Sequence, residues 1–396
     1  MDCIFSDLEW SLATLSTRSG GLGLRSTELH SSAAFISSQV ACKELCQKID
    51  PNYTWDPNNE SNDVYAALVE YNTKVSPESR IHTLQDAITK QQILSKGVDS
   101  KTFDDIRQNR CNDIHFQAHL NLTTTGGAGS WLNAVPSKAI GTHVDPFLFK
   151  PMVQRWLRVP LFEGEFYCPF CDGVVDRYGD HCLTCSCGGD RTKRHNLIRN
   201  AIFHLCNGSG LNPELERPGL LQPRPLTGSL QENGAERDPN TNRRPADVYL
   251  PRWRRGMPAA LDIAVTSGLK MDMVNKSVED GTAAVKAYEI YKRSYMQTEE
   301  LCKNEGITFI PLICEASGGG WGPAAGAVWN ELAKSKSLMT GESVSITVTH
   351  ILQSLSIILH KENARAILRR SQHTNSNNEF HELLDALAAC GSDTDL

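Results

Sequence analysis

The sequence predicts an α+β protein built from a helical N-terminal region, a small zinc knuckle and a C-terminal α/β domain. Through residues 1–120, apolar residues recur at three- and four-residue spacing, which is typical of amphipathic helices. A cluster of cysteines with a histidine then occupies residues 165–190. Three strand-like apolar runs follow, at 246–250, 259–266 and 307–314, and a helical pattern lies between the second and the third.

The predicted domain boundaries lie where these patterns change. We expect four parts along the chain: a helical region over 1–160, the zinc knuckle over 161–192, the α/β domain over 193–371 and a mostly disordered tail over 372–396. The tail is rich in Asn, Ser and Asp, a composition that cannot build a core. Residues 217–242 are rich in Pro, Gly and Asn and predict a long loop inside the α/β domain.

Composition excludes several classes of protein. The 13 cysteines are odd in number and scattered, and the N-terminus lacks the pattern of a secretion signal. We therefore expect no disulfide framework. We expect the protein to lie in a reducing compartment, either the nucleus or the cytoplasm. No apolar run approaches the roughly 18–20 residues of a membrane span, so we expect no membrane partner. Net charge is −6, so any binding to nucleic acid must come from local basic patches.

The cysteine cluster has the spacing of a structural zinc site, C-x2-C followed after nine residues by H-x3-C. The predicted ligands are Cys168, Cys171, His181 and Cys185. Cys182 and Cys187 are alternatives for the third or fourth place, and four buried thiols that bind no metal are the alternative interpretation. Four protein ligands leave no open position on the ion, so the predicted role is structural.

A basic segment follows the knuckle and opens a predicted helix. Its cations, Arg191, Lys193 and Arg194, lie where helix-start amides also point toward a ligand, which suits contact with phosphate. A solvated charged face is the alternative interpretation. His195 follows directly and is a candidate for support of catalysis.

Two aspartates are the strongest catalytic candidates. If the first two strands pair as a hairpin centred between Arg254 and Arg255, Asp247 and Asp262 lie directly opposite each other, with Cβ atoms about 4.5–5.5 Å apart. Carboxylates that close repel unless a cation or proton lies between them, and Mg²⁺ or Mn²⁺ prefers such oxygens. Ordinary strand-end aspartates are the alternative, but Asp262 lies within the apolar run ALDIAV, where an unpaired charge is costly.

The turn between these strands carries a second set of candidate nucleic-acid contacts. Pro251 and Pro258 cannot donate to the strand ladder, so the hairpin should open into a loop there. The loop presents cations beside an aromatic ring, a combination that suits a nucleic-acid backbone and bases. Its candidate residues are Arg252, Trp253, Arg254 and Arg255.

A positive group should complete the predicted site by offsetting charge on the reacting phosphate. Lys292 is the first choice, because the following helix places it on one face with Tyr288 and Tyr295. Lys286 is the second choice. Tyr295 is a candidate for support, and so is Glu315, at the end of the last strand, as a further metal ligand or as a group that holds water.

The order of these motifs resembles the C-terminal part of non-LTR-type retrotransposon reverse transcriptase polyproteins. There a CCHC zinc knuckle precedes a restriction-endonuclease-like domain, and the segment STRSGGLGLRS is similar to the stretch that follows the polymerase palm. The resemblance covers roughly residues 10–370. It is carried by the knuckle ligands and by Arg194-His195-Asn196, Pro245-Ala246-Asp247, Asp262, and Lys292 with Tyr295.

This resemblance implies a PD-(D/E)xK core, with helices flanking a central sheet, and a divalent-metal-dependent endonuclease. Such an enzyme nicks target DNA by hydrolysing a phosphodiester, so that reverse transcription can start from the 3′ end. It implies DNA as partner, with RNA as an alternative and a reverse transcriptase as a further partner, and no small-molecule cofactor. The competing interpretation is a catalytically inactive, zinc-containing nucleic-acid-binding remnant of a retroelement.

Three departures from the family pattern are visible. Ala246 separates Pro245 from Asp247, and Ala264 stands where a (D/E)-x-K motif would place lysine. The lysine is therefore expected from the helix that carries Lys292. No Tyr/Phe-x-Asp-Asp motif is present in the sequence, so no polymerase activity is expected.

Overall fold

The computed structural model describes residues 5–53, 61–83, 90–221 and 244–371. Over these residues the protein is α+β, mostly helical with a small mixed sheet, as the sequence predicts. The chain divides into two compact units, Met1–Leu120 and Asn121–Leu396. The predicted tail over 372–396, and most of the loop predicted over 217–242, lie outside the described residues.

The first unit is helical, in agreement with its apolar spacing. Its helices are α1 (Asp7–Thr14), α2 (Thr27–Ile49), α3 (Asp63–Thr73), α4 (Gln91–Asn109) and the start of α5 (Ile114–Thr123). Ser6 and Glu9 form a reciprocal capping box that starts α1. The buried apolar faces of α2, α3 and α4 meet in one core that includes Ile36, Leu68 and Leu94.

The second unit contains the knuckle and the sheet. Its helices are the end of α5, α6 (Pro146–Trp156), α7 (Asp180–Thr184), α8 (Asp190–Gly208), α9 (Val274–Glu279), α10 (Ala283–Ser294), α11 (Thr298–Asn304), α12 (Pro323–Thr340) and α13 (Val344–Ser371). Its strands are β1 (Phe166–Tyr167), β2 (Val174–Val175), β3 (Glu214–Leu215), β4 (Val248–Leu250), β5 (Ala259–Thr266) and β6 (Thr308–Glu315).

The four-stranded sheet has the order β3-β4-β5-β6. The pairs β3–β4 and β4–β5 are antiparallel, whereas β5 and β6 run parallel along their full length. A parallel pair needs a crossover connection, and α9, α10 and α11 supply it between β5 and β6. The register of β4 on β5, Val248↔Leu261, is the one that the sequence predicts.

Helices cover both faces of this sheet. On one face, alternate apolar residues of β4, β5 and β6 pack against α8, α12 and α13 around Ile202, Leu261 and Trp329. On the other face, Ala260 and Phe309 pack against Cys302 of α11. Because side chains alternate along a strand, Asp262 points to the same face as Ala260.

Three local features differ from the expected elements. Helix α6 continues through Pro151, although proline lacks the amide hydrogen that a helix interior needs, because Leu148, Met152 and Trp156 still bury one continuous face. The helical pattern from 279 to 303 is split, since Met296 and Gln297 adopt positive φ angles of 49° and 56°. Strand β3 has too short an apolar run to be predicted.

Among the described residues, no single helix is both long enough and apolar enough to cross a membrane. The sharply bent pair of α12 and α13 passes that test of length and composition only when the two are taken together.

Candidate zinc centre and active site

The knuckle is built from a short hairpin and one turn of helix. Strands β1 and β2 pair antiparallel, and the turn between them carries Cys168 and Cys171, closed by a hydrogen bond from Cys168 N to Gly173 O of 2.8 Å. His181 and Cys185 lie at the two ends of α7, where Cys185 N donates to His181 O at 2.9 Å. The C-x2-C and H-x3-C halves therefore come from two different local structures.

The four predicted ligands come together. Their ligand atoms all lie within 4.8 Å of one another, with Cys171 Sγ 3.3 Å from His181 Nε2 and 3.5 Å from Cys185 Sγ. A tetrahedral site with Zn–S bonds of about 2.3 Å has edges of about 3.8 Å. Cys182 and Cys187, the alternative ligands, are not members of this group. Three thiols and one imidazole in this arrangement could bind zinc.

Local backbone and charge favour this cluster. A Cβ atom on Gly173 would lie 2.6 Å from His181 Cε1, so only glycine lets the imidazole approach the hairpin. Burial raises the pKa of Cys168, but hydrogen bonds from the Phe170 amide and from His181 and Arg370 outweigh it and lower the pKa to about 6. The neighbouring ligand Cys171 shows the opposite shift. Although a hydrogen bond from the Gly173 amide lowers its pKa, burial and the thiols of Cys185 and Cys168 outweigh it and raise the pKa to about 11. Cys168 is therefore the ligand of this pair that is favoured as a thiolate.

Two pairs of arginines attach the knuckle to the rest of its unit. On one side, buried Arg155 and Arg158 bind Asp180, the first residue of α7, at 2.7 and 2.8 Å. On the other side, Arg369 and Arg370 at the end of α13 bind Asp190, and both stack on Phe170 inside the C-x2-C turn. The knuckle and the end of α13 therefore form one packed assembly.

The basic segment after the knuckle divides between surface and interior. Arg191 and Lys193 are exposed at the start of α8 and remain candidates for phosphate contact. The prediction for Arg194 is wrong, because its side chain is buried, with 5% of the residue exposed. Its guanidinium donates to Asn363 Oδ1 at 2.6 Å and to Leu183 O at 2.9 Å, which ties α8 to α13.

The two aspartates lie side by side at the end of the β4–β5 ladder. The ladder ends at Val248↔Leu261, and the amide of Asp247 donates to Leu261 O at 2.9 Å, so Asp247 lies beside Asp262 without the directly opposite pairing that the sequence predicts. Asp247 Oδ2 accepts a hydrogen bond of 2.6 Å from the amide of Ile263, directly beside Asp262. Its Oδ1 lies 3.2 Å from His195 Nε2, so the imidazole at the start of α8 orients this carboxylate.

Asp262 is largely buried, and its nearest charge is Lys292. Lys292 Nζ lies 2.9 Å from Asp262 Oδ2 and 3.1 Å from Oδ1. Burial raises the pKa of Asp262 to about 6, with the Asp247 charge adding to the rise, although Lys292 opposes it. The pKa of Lys292 is itself raised, because attraction to Asp262 exceeds the effect of burial. The lysine is thus a stable cation beside an acid that ionises near pH 6.

The fold explains how a helix can deliver this lysine. Asp262 and Ala264 alternate onto the same face of β5, over which α10 packs. Ala264 has a short, uncharged side chain. A cation at this face of the sheet must therefore come from another element, and α10 supplies it. Lys292 lies near the end of that helix.

The remaining support candidates are placed elsewhere. Lys286, the second choice for the catalytic lysine, binds Asp280 at 2.8 Å rather than either aspartate of the pair. Glu315 is 2% exposed and accepts hydrogen bonds from the amides of Gly268, Ser317 and Gly318. Its carboxylate therefore holds two loops together, and the prediction that it binds a metal or a water is wrong. Tyr295 is 45% exposed and contacts Tyr291.

The arginines of the β4–β5 turn differ in whether they also have protein partners among the described residues. Arg252 and Arg255 are exposed. Arg254 donates to Ala327 O at 3.1 Å and lies 3.4 Å from Glu331 of α12, so it also has a structural role. Trp253 is half-buried and packs against the core on the α8 side of the sheet. The two exposed arginines are the better candidates for nucleic-acid contact.

Sequence reasoning missed Tyr291, which lies between Tyr288 and Tyr295 on α10. The three rings follow one another, with centroids 5.5 and 5.3 Å apart. Their spacing of three and then four residues is the signal that could have found them. Lys292 Nζ lies 6.0 Å from the centre of the Tyr288 ring, so the same ammonium lies near both Tyr288 and Asp262.

No protein-family model matches this chain, and no curated protein matches its sequence.

Proposed function

We propose that this protein is a divalent-metal-dependent DNA endonuclease of retroelement origin. The observation that carries the proposal is the buried carboxylate of Asp262, which has Asp247 on one side and the cation of Lys292 on the other. A carboxylate pair beside a permanent cation is suited to phosphodiester hydrolysis. The order of knuckle, His195, Asp247, Asp262 and Lys292 along the chain supports descent from the post-polymerase region of a retrotransposon polyprotein.

The carboxylate pair is the natural place for the metal. Asp247 and Asp262 would hold Mg²⁺ or Mn²⁺ through their oxygens, the ligands these ions prefer. When bound, the ion supplies charge to the phosphate oxygens and lowers the pKa of water. The repulsion between the carboxylates, which helps raise the pKa of Asp262, is then offset.

The protein's own groups account for the remaining requirements. Lys292 keeps its proton, so its role is to neutralise charge that develops on the phosphate rather than to remove a proton from water. His195 orients Asp247 through the contact of 3.2 Å. In the reaction, water forms a bond to phosphorus, one ester P–O bond breaks, and the leaving oxygen takes a proton.

A second function, binding of nucleic acid without catalysis, has a specific observation in its favour. Both carboxylates already have protein partners: Lys292 binds Asp262, while the Ile263 amide and His195 bind Asp247. A pair satisfied in this way needs no cation to persist. The knuckle and the exposed cations Arg191, Lys193, Arg252 and Arg255 would serve such a binding module.

Nicking of supercoiled plasmid separates the two functions. Purified, zinc-loaded protein is incubated with plasmid in Mg²⁺ or in Mn²⁺, beside the Asp262→Ala variant and a sample quenched with EDTA. Conversion to open circles by the parent alone, abolished by EDTA, supports the endonuclease. Protein that shifts DNA but never nicks it, in either metal, leaves the binding module as the function.

A further inference from the structure

We propose that Tyr288, Tyr291 and Tyr295 form a stacking platform for unpaired nucleotide bases next to the carboxylate pair. These residues are here called the tyrosine ladder. This proposal rests on the proposed function for the identity of the neighbouring site. It adds the form of nucleic acid that the site accepts, which is a strand with unpaired bases rather than a closed duplex.

Two of the three rings, Tyr291 and Tyr295, are exposed, whereas Tyr288 is half-buried. Tyr288 lies at 35° to Tyr291, and Tyr291 at 41° to Tyr295, so the three aromatic faces are tilted only moderately from one to the next. Tyr291 is 49% exposed and Tyr295 45% exposed, whereas most aromatic residues of this unit are buried or half-buried. Tyr288 and Tyr291 lie on α10 and Tyr295 directly follows its last residue, so the rings continue past the end of the helix with centroids 5.5 and 5.3 Å apart.

The ladder is continuous with the candidate active site. Lys292 Nζ lies 6.0 Å from the centre of the Tyr288 ring and 2.9 Å from Asp262 Oδ2. The backbone of a nucleic-acid strand lying along the rings would therefore pass close to Lys292 Nζ, the ammonium that faces the buried carboxylate of Asp262. Arg293, which binds Glu299 and is half-buried, adds a second cation directly after Lys292.

Duplex DNA cannot use such a surface without opening. In a closed duplex each base face is already covered by its neighbours, so a tyrosine gains a face only from an unpaired or flipped nucleotide. Rings beside two cations suit a single strand, because every base has a π-face and every linkage a phosphate. Lys292 and Arg293 are each paired with one carboxylate of this chain, and as cations beside the rings they favour a partner that carries phosphates over an apolar one.

The test is fluorescence anisotropy with a short fluorescein-labelled oligothymidine and with a hairpin duplex, in buffer without added Mg²⁺ or Mn²⁺. Replacing one stacked residue by alanine should weaken single-strand binding by about 5- to 150-fold, from the typical free energy of one base–aromatic stack. Tyr291→Ala is the test variant. Tyr291→Phe, which keeps the ring, and Ile290→Ala, which changes an exposed neighbour on α10, should bind like the parent.

The expected result is loss of single-strand affinity in Tyr291→Ala with little change in duplex affinity. Equal loss on both probes, or no loss on either, would overturn the ladder. So would a change from dimer to monomer in Tyr291→Ala by light scattering, since the rings would then be a self-association surface. Plasmid nicking tests the proposed function separately: a parent that binds oligothymidine through Tyr291 but never nicks keeps the ladder and loses the endonuclease.

Discussion

At the scale of single residues, the environment of Asp262 decides what the candidate site can do. The carboxyl of Asp262 is buried and lies beside Asp247. Burial and the charge of Asp247 keep the pKa of Asp262 near 6, even though Lys292 Nζ lies 2.9 Å from Asp262 Oδ2. Either a proton or a divalent cation can relieve the repulsion between the carboxylates. The two compete for the same oxygens, so metal binding at this pair should depend on pH in the range around 6.

The first prediction concerns this competition. With limiting Mn²⁺, nicking should rise as pH increases through about 6, because Asp262 is neutral below that pH and a carboxylate above it. Lys292 lowers the pKa of Asp262, so Lys292→Met should shift the rise to higher pH and reduce the plateau. Lys292→Arg keeps the charge and should leave the midpoint near that of the parent. Single-turnover rates between pH 5 and 8 measure this, and a flat profile would contradict it.

Two residues show why sequence reasoning succeeds at one position and fails at another. The register of β4 on β5 was predictable from local chain positions, although the ladder ends at Val248↔Leu261 and does not include the predicted pair of Asp247 with Asp262. The burial of Arg194 was not, because its partner Asn363 is 169 residues away in sequence. A cation at the start of an amphipathic helix carries no local signal of such a distant acceptor.

At the scale of elements, the knuckle is a separate structural device fixed to the sheet domain. Its four ligand atoms lie within 4.8 Å of one another, and its two acidic anchors, Asp180 and Asp190, are bound by arginines of α6 and α13. Metal binding and arginine clamping should therefore both contribute to the stability of this part of the molecule.

The second prediction tests the metal. The parent should contain about one zinc per chain, and Cys171→Ser should lose it together with more than about 2 kcal/mol of stability, since zinc binding is coupled to folding. Cys187→Ser is the matched control, because Cys187 lies two residues from a ligand but outside the group. Metal analysis and thermal unfolding of the three proteins provide the measurement. Zinc retained in Cys171→Ser, or lost in Cys187→Ser, would show that the ligand set is wrong.

The third prediction compares the two arginines at the end of α13. Arg370 is fully buried against Asp190 and Phe170, so Arg370→Met should cost about 3 kcal/mol of unfolding free energy. Arg369 binds the same aspartate, but its side chain is 40% exposed, so Arg369→Met should cost about 1 kcal/mol or less. Urea unfolding measures both. Equal effects would mean that burial does not distinguish the two contacts.

Element boundaries show where periodicity stops being informative. The spacing of apolar residues predicts that the first unit is helical, and it predicts strands β4, β5 and β6 to within a few residues. It does not predict the break after α10, where Met296 and Gln297 adopt positive φ angles, because neither residue type indicates such a backbone. Nor does it predict that Gly318 and Gly320 fit closely against Leu122 and Thr125.

At the scale of the whole molecule, binding to nucleic acid must overcome a net charge of −6. The exposed candidates for phosphate contact are few: Arg191, Lys193, Arg252 and Arg255. Affinity should therefore be moderate and should depend on these local positions rather than on an overall basic field. The α+β class and the order of the parts follow from sequence pattern, but which cations remain at the surface follows only from the folded chain.

The fourth prediction uses salt to count these contacts. Replacing Arg252 and Arg255 together by glutamine should reduce the slope of log affinity against log salt for duplex DNA by about 1.8, since each phosphate contact contributes about 0.9. Lys334→Gln, an exposed cation on α12, should leave the slope unchanged. Anisotropy titrations at several salt concentrations give the slopes. An unchanged slope in the double variant would remove the β4–β5 turn from the nucleic-acid interface.

The most direct test of the central claim is the rate of plasmid nicking by Asp262→Asn in Mn²⁺, beside the parent and Asp280→Asn. Asp280 is an aspartate of similar type that binds Lys286 outside the carboxylate pair. The account predicts a loss of more than about 100-fold in Asp262→Asn, because a metal ligand is removed, and a rate near that of the parent in Asp280→Asn. Equal nicking by the parent and Asp262→Asn, with zinc content and fold unchanged, would contradict the assignment of the active site.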